Sequence, residues 1–120
     1  MLSDGEIDYT SSFDSIKFNN GSRVLSLPSS TDGSNLRGYT ANGCVCIDEA
    51  AYVSHLDNIM NAINPTLSRD DTAELILTTT PAGKNGDFYE LYSNAMNDDN
   101  WYVQYTTIHD AINDGLNTNI

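Results

Sequence analysis

The chain has 120 residues, which is enough for one small domain and too few for two. Its 17 acidic residues outnumber 5 basic ones, and the formal net charge of −12 disfavours tight, non-specific binding to a phosphate backbone by this chain alone. No apolar run approaches the ~20 residues of a membrane span, and the first residues lack the basic and apolar regions of a secretory signal.

The N-terminal part of the chain predicts a loose end followed by a hairpin. Residues 1–12 are polar and patternless. Residues 15–18 and 23–27 are alternating segments on either side of Asn20-Gly21, a dipeptide typical of a type I′ turn. The Ser, Gly and Asp residues of 28–35 then predict a loop.

An unbroken apolar run at residues 44–47 ends in two carboxylates, Asp48 and Glu49. Such a run predicts a strand buried on both faces, with Cys44 and Cys46 as small buried residues. Because burial of a charge is costly, we expect the acids at the strand's exit, where open α/β sheets bind ligands. There they could hold Mg²⁺ through water and orient an attacking water, although acids also favour a solvated helix N-terminus.

The rest of the chain alternates helices and strands. The predicted elements are a helix over 50–63 ended by Asn64-Pro65, a second buried strand over 74–79, a turn over 80–86, a helix over 87–96, a third strand over 101–105, and a short helix capped by Thr107 with Gly115 beyond its end. This order predicts an α/β fold with parallel strands and right-handed crossovers.

Two further groups of side chains suit phosphate chemistry. Thr78, Thr79 and Thr80 follow the second buried strand, and their hydroxyls can bind a phosphate or a catalytic carboxylate; ordinary β-branched turn chemistry is the alternative. Arg37 has a guanidinium suited to stabilising charge on a transferring phosphoryl group, or it is a surface residue of an acidic chain.

Together these segments resemble the ATPase domain of large terminase subunits, the DNA-packaging motors of tailed bacteriophages. The resemblance covers residues 15–110, and the Arg-Gly step before the acidic pair together with the Thr-Thr-Thr-Pro-x-Gly segment after it is its most specific part. The matching segments are 20–24, 36–38, 45–52, 77–83 and Phe88-Tyr89.

The resemblance implies a role for each candidate residue. Asp48 is implied to be the Walker B aspartate that holds Mg²⁺ through water, and Glu49 the catalytic glutamate that activates the hydrolytic water. Thr78, Thr79 and Thr80 match the coupling motif that senses the γ-phosphate. Arg37 matches the arginine that reaches into a neighbouring subunit's site. Mg²⁺ and ATP are the implied cofactors, and double-stranded DNA, the portal and the small terminase subunit are the implied partners, in the cytoplasm of a bacterial host.

The sequence also departs from the family. It contains no G-x-x-x-x-G-K-[ST] loop to cradle phosphates, and the nuclease domain of the family is absent. We therefore expect residues 1–120 to be the second half of an ATPase domain, as a natural truncation or an excised piece that is inactive by itself. The expected fold is a partial P-loop NTPase of the ASCE type: a three-layer α/β fold with a mainly parallel sheet and a β-hairpin, lacking the Walker A strand. Residues 75–79 would then form an exposed sheet edge, which predicts a homo-oligomer or another cover along that edge.

Two other interpretations stay open at this point. A superfamily 2 helicase fragment also carries an Asp-Glu-Ala box followed by a Ser/Thr-rich motif. A non-catalytic acidic α/β module that only binds partners would need none of these groups for chemistry.

Overall fold

The computed structural model describes residues 8–28, 39, 41–67 and 72–117. Most of the predicted loop over 28–35 and the segment 36–38 lie outside the described residues. The described part is a mixed α/β structure with a three-stranded antiparallel sheet and a two-stranded parallel sheet. None of its helices is both long and apolar enough to cross a membrane.

The antiparallel sheet contains the predicted hairpin and one additional strand. Its strands are β1 (Tyr9–Ser11), β2 (Ser15–Phe18) and β3 (Arg23–Leu25), in that order across the sheet. The prediction of a loose end is wrong for β1, which pairs with β2 so that Tyr9 lies opposite Phe18. The two rings lie 6.5 Å apart between centroids, a distance at which cross-strand aromatic pairs stabilise a sheet.

The hairpin turn differs from the predicted type I′ turn. The Phe18 amide donates to Ser22 O at 2.9 Å, and the Gly21 amide donates to Phe18 O at 3.0 Å. Gly21 has φ +87°, but Asn20 does not have a positive φ, which a type I′ turn requires at both central positions. The connection is therefore a three-residue loop in which only the glycine is left-handed.

The parallel sheet joins β4 (Cys44–Ile47) to β5 (Glu74–Leu77), with Cys44 opposite Glu74 and Ile47 opposite Leu77. This confirms the predicted parallel relation of the two apolar strands. The prediction of a third strand over 101–105 is wrong, because this segment has no regular secondary structure and belongs to no ladder of the described chain. An alternating sequence supplies the side chains of a strand, whereas a neighbouring strand must supply its hydrogen bonds.

Only one face of the parallel sheet is partly covered, so the prediction of burial on both faces is wrong. Val45 and Ile47 of β4, like Leu75 and Leu77 of β5, are half-buried. The opposite face is exposed, and Ile76 is 43% accessible to solvent. The predicted burial of the cysteines fails for the same reason, because both lie on the exposed face.

The predicted helix over 50–63 is split into two helices. A 3₁₀ helix, Ala50–Tyr52, is followed by α1, Leu56–Leu67. His55 between them has φ +55°, a left-handed conformation that cannot continue a right-handed helix. Pro65 was expected to end the helix but lies inside α1, two residues before its end.

The remaining helices agree with the predictions to within a residue or two. Helix α2 spans Asp87–Ala95 and helix α3 spans Ile108–Asn113. Thr107 caps α3 as expected, and Gly115 beyond its end has φ +102°.

A small apolar core lies where α2 packs against both α1 and the 3₁₀ helix. Its buried members are Ala50, Leu56, Ile59, Ile63 and Ala95. Because Ala50 directly follows Glu49, the core anchors the chain at the exit of β4.

Candidate functional site

The two acids and the threonines follow neighbouring parallel strands at the same edge of the sheet. The ladder continues one step beyond the strands, since the Thr78 amide donates to Ile47 O at 3.0 Å. The Ala50 amide then donates to Thr78 O, also at 3.0 Å. These two bonds fix the exit of β4 against the exit of β5.

A side-chain hydrogen bond connects the two exits directly. Thr78 Oγ1 donates to Asp48 Oδ1 at 2.7 Å, and the Glu49 amide donates to the same oxygen at 2.9 Å. Both bonds use Oδ1, and no hydrogen bond within the described part of the chain uses Oδ2. The carboxylate is thus held in orientation by one oxygen, and the described residues leave the other open to a ligand.

Glu49 has a backbone conformation that is rare for its residue type. Its φ of 52° and ψ of 40° are left-handed, which costs a residue with a Cβ roughly 1–2 kcal/mol. The Tyr52 amide donates to Glu49 O at 2.8 Å, and the next residue, Ala50, is 1% exposed. The surroundings therefore hold the strained residue in place, an arrangement that clusters at functional sites.

Thr79 and Thr80 continue the chain beyond the exit of β5. Thr79 Oγ1 accepts a bond from the Ala51 amide at 3.2 Å and donates to Thr80 O at 2.9 Å. Thr79 is half-buried and joins this loop to the 3₁₀ helix, whereas Thr80 is exposed. A further link between the same segments, Tyr52 Oη to Pro81 O, is long at 3.5 Å.

The donor set fits Mg²⁺ bound together with phosphates. Within the described residues, no group of three or more His, Cys, Asp or Glu side chains could hold a metal by itself. Mg²⁺ in nucleotide sites usually keeps several waters and takes one or two carboxylates plus substrate phosphates. Asp48, with one oxygen available, is suited to that mode of binding.

The Cys44 thiol, on the neighbouring strand face, is not activated as a nucleophile. Partial burial, followed by the charges of Cys46 and Glu74, raises the pKa of the Cys44 thiol. A raised pKa keeps the sulfur protonated, which is the less reactive form.

The structure brings together most of the residues singled out from the sequence. Asp48 and Thr78 are in direct contact, the Glu49 amide donates to the Asp48 carboxylate, and the Thr79 hydroxyl accepts from the Ala51 amide. Arg37, the proposed second catalytic residue, lies outside the described residues. The left-handed backbone of Glu49 was missed, and no sequence signal could have found it, because glutamate has no preference for positive φ.

No protein-family model matches the sequence, and no solved structure matches the chain.

Proposed function

We propose that this chain carries the Walker B and coupling segments of the ATPase domain of a phage large terminase subunit, the motor that packages double-stranded DNA. The fold of the proposal is a partial P-loop NTPase of the ASCE type. Asp48 holds the Mg²⁺ of MgATP through water, and Glu49 orients and activates the attacking water. Thr78, Thr79 and Thr80 respond to the γ-phosphate, and Arg37 reaches a nucleotide bound by a neighbouring subunit.

The hydrogen bond between Thr78 Oγ1 and Asp48 Oδ1 carries the proposal. It connects the residue proposed to hold the metal with the segment proposed to sense the phosphate, across two parallel strands whose exits coincide. A solvated helix N-terminus does not account for this arrangement. Glu49 is the N-cap of the 3₁₀ helix, but its side chain makes no capping hydrogen bond.

The chemistry divides between the chain's own groups and the bound ion. Mg²⁺ supplies charge neutralisation on the phosphates when it is bound. Thr78 keeps the Asp48 carboxylate oriented by donating to Oδ1. The Glu49 side chain is exposed at the same edge, where it can accept a proton from water. The phosphates themselves need a backbone cradle and a lysine, which this sequence does not encode.

The proposal is tested by supplying that cradle. A strand–loop–helix unit carrying G-x-x-x-x-G-K-[ST] would be linked ahead of this chain, and Mg²⁺-dependent ATP hydrolysis would be measured. We expect turnover above that of either part alone, and a decrease of about 10²-fold or more in the Glu49→Gln variant.

Glu90→Gln is the matched control, because it makes the same change at an exposed acid of α2. It should leave turnover unchanged. Turnover that is absent from the linked protein, or equal in the Glu49→Gln and Glu90→Gln variants, would contradict the proposal.

A further inference from the structure

The 3₁₀ helix after the acidic pair has the amides of its first turn capped by the candidate site. The first three amides of a 3₁₀ helix, counted from the N-cap, have no partner within it, because each bond reaches three residues back. The first of these amides donates to Asp48 Oδ1. The Ala50 amide donates to Thr78 O at 3.0 Å, and the Ala51 amide donates to Thr79 Oγ1 at 3.2 Å. Two of the three acceptors therefore come from the exit of β5.

The acceptor that Thr79 provides depends on its side chain. The Ala50 amide uses a main-chain carbonyl, which any residue supplies, whereas the Ala51 amide needs a hydroxyl at position 79. The same hydroxyl donates its single proton to Thr80 O at 2.9 Å, which fixes its orientation. Thr79 and Ala51 are both half-buried, so water replaces a lost partner only in part. One side chain therefore determines whether this cap forms.

The sequence of the segment between the acidic pair and α1 favours a different conformation. Its apolar residues continue the 3.6-residue repeat of α1, which predicts one helix from Ala50 onwards. In the structure Val53 is extended and His55 has φ +55°, so this helix is interrupted. At the other end Glu49 has φ +52°, whereas the N-cap of an ordinary helix is extended. Both left-handed residues would lose their strain in a continuous helix, so contacts from outside the segment must hold the interrupted one.

We propose that Thr79 is a positioning residue for Glu49: its hydroxyl caps the 3₁₀ helix from the neighbouring strand and so holds Glu49 in its left-handed conformation. Without that cap, residues 50–55 join α1 as one helix and Glu49 becomes extended, which redirects its carboxylate. Any displacement of the exit of β5 is thereby transmitted to the carboxylate proposed to activate water. The catalytic role of Glu49 rests on the proposed function, whereas the dependence of its backbone on Thr79 does not.

NMR of the chain without nucleotide tests the proposal. A residue with positive φ gives an unusually strong NOE between its own amide proton and Hα, because a left-handed backbone brings these two protons close together. We expect this signature at Glu49 in the parent chain. Thr79→Val keeps the β-branched shape but removes the hydroxyl, so it should abolish the signature at Glu49 and give helical ¹³Cα shifts through residues 53–55. Thr79→Ser keeps a hydroxyl and should behave as the parent chain does.

Thr80→Val is the matched control, because it removes a neighbouring hydroxyl that caps none of the three amides. It should leave the signature at Glu49 unchanged. An unchanged signature in Thr79→Val, its loss in Thr79→Ser, or an equal loss in Thr80→Val would overturn the proposal.

Amide hydrogen exchange gives a second test that does not require Thr79→Val to fold. The Ala51 amide should be protected from exchange in the parent chain and in Thr79→Ser alike, because its hydrogen bond must break before it exchanges. An Ala51 amide that exchanges at the rate of an unstructured peptide in either chain would also overturn the proposal. None of these measurements involves ATP, so an absence of ATP turnover in the linked protein would contradict the proposed function alone.

Discussion

Glu49 combines a strained backbone with the side chain proposed to activate water. Its left-handed φ is costly for any residue with a Cβ and nearly free for glycine. Glu49→Gly should therefore raise the free energy of unfolding by about 1 kcal/mol, after allowing for the greater freedom of glycine in the unfolded chain. Chemical denaturation followed by circular dichroism measures this change.

Glu49→Ala is the control, because it removes the same carboxylate but keeps the Cβ and hence the strain. It should not stabilise the chain. If the two variants are equally stable, the conformation of Glu49 carries no strain. If only Glu49→Gly raises the free energy of unfolding, this would indicate that glutamate is retained at position 49 for function at the expense of stability.

At the residue scale, sequence reasoning identified contacts better than conformations. Asp48 and Thr78 each end an apolar run, and the exits of adjacent parallel strands meet, so their proximity followed from the pattern. The positive φ values of Glu49 and His55 did not, because they result from the way the core anchors the following helices. Local propensity gives no indication of such tertiary constraints.

At the element scale, predictions succeeded where the signal is local. The Thr107 cap and the left-handed Gly115 delimit α3 as expected, since capping depends on neighbouring residues alone. The strand over 101–105 failed because a strand needs a partner that its own sequence does not specify. The prediction of one continuous helix across His55 failed because an apolar 3.6-residue repeat continues across a break in the backbone.

The N-terminus of α3 has a pH-sensitive cap. Thr107 donates to Asp110 Oδ2 through its hydroxyl at 2.6 Å and through its amide at 2.8 Å. The bond from the Thr107 side chain, and then the bond from its backbone, lower the pKa of Asp110. A carboxyl whose folded pKa is depressed stabilises the fold above its unfolded pKa of about 3.9, and that contribution is lost as the pH falls through the folded value. We therefore expect α3 to weaken below roughly pH 4.

NMR titration of the Asp110 carboxyl, with amide exchange along α3, measures this effect. Thr107→Ala should return the pKa of Asp110 towards its ordinary value and weaken α3 at neutral pH. Thr106→Ala, one residue earlier, should do neither. An Asp110 pKa that is the same in the parent chain and in Thr107→Ala would show that the cap does not form.

At the scale of the whole molecule, the sequence indicated the α/β class but not how completely the sheets are covered. Apolar runs imply burial, yet they do not say whether the burying surface lies in the same chain. Cys46 and Ile76 are apolar residues on a face that the described helices leave open. The described residues cover both sheets only in part.

The proposed site has its acidic half but lacks its phosphate-binding half, and this predicts how the chain behaves with nucleotide. Asp48 offers one available carboxylate oxygen for a water-bound Mg²⁺, but the sequence has no phosphate-cradling loop, and its two lysines, Lys17 and Lys84, are not in that motif. Most of the affinity for a triphosphate in this class of site comes from backbone amides and the lysine of that loop. The chain by itself should therefore bind MgATP weakly and hydrolyse it negligibly. Calorimetry measures the binding of MgATP, and a phosphate-release assay measures its hydrolysis. Turnover well above background that disappears in Glu49→Gln would contradict this prediction, because it would show that the acidic pair belongs to a site complete within these 120 residues.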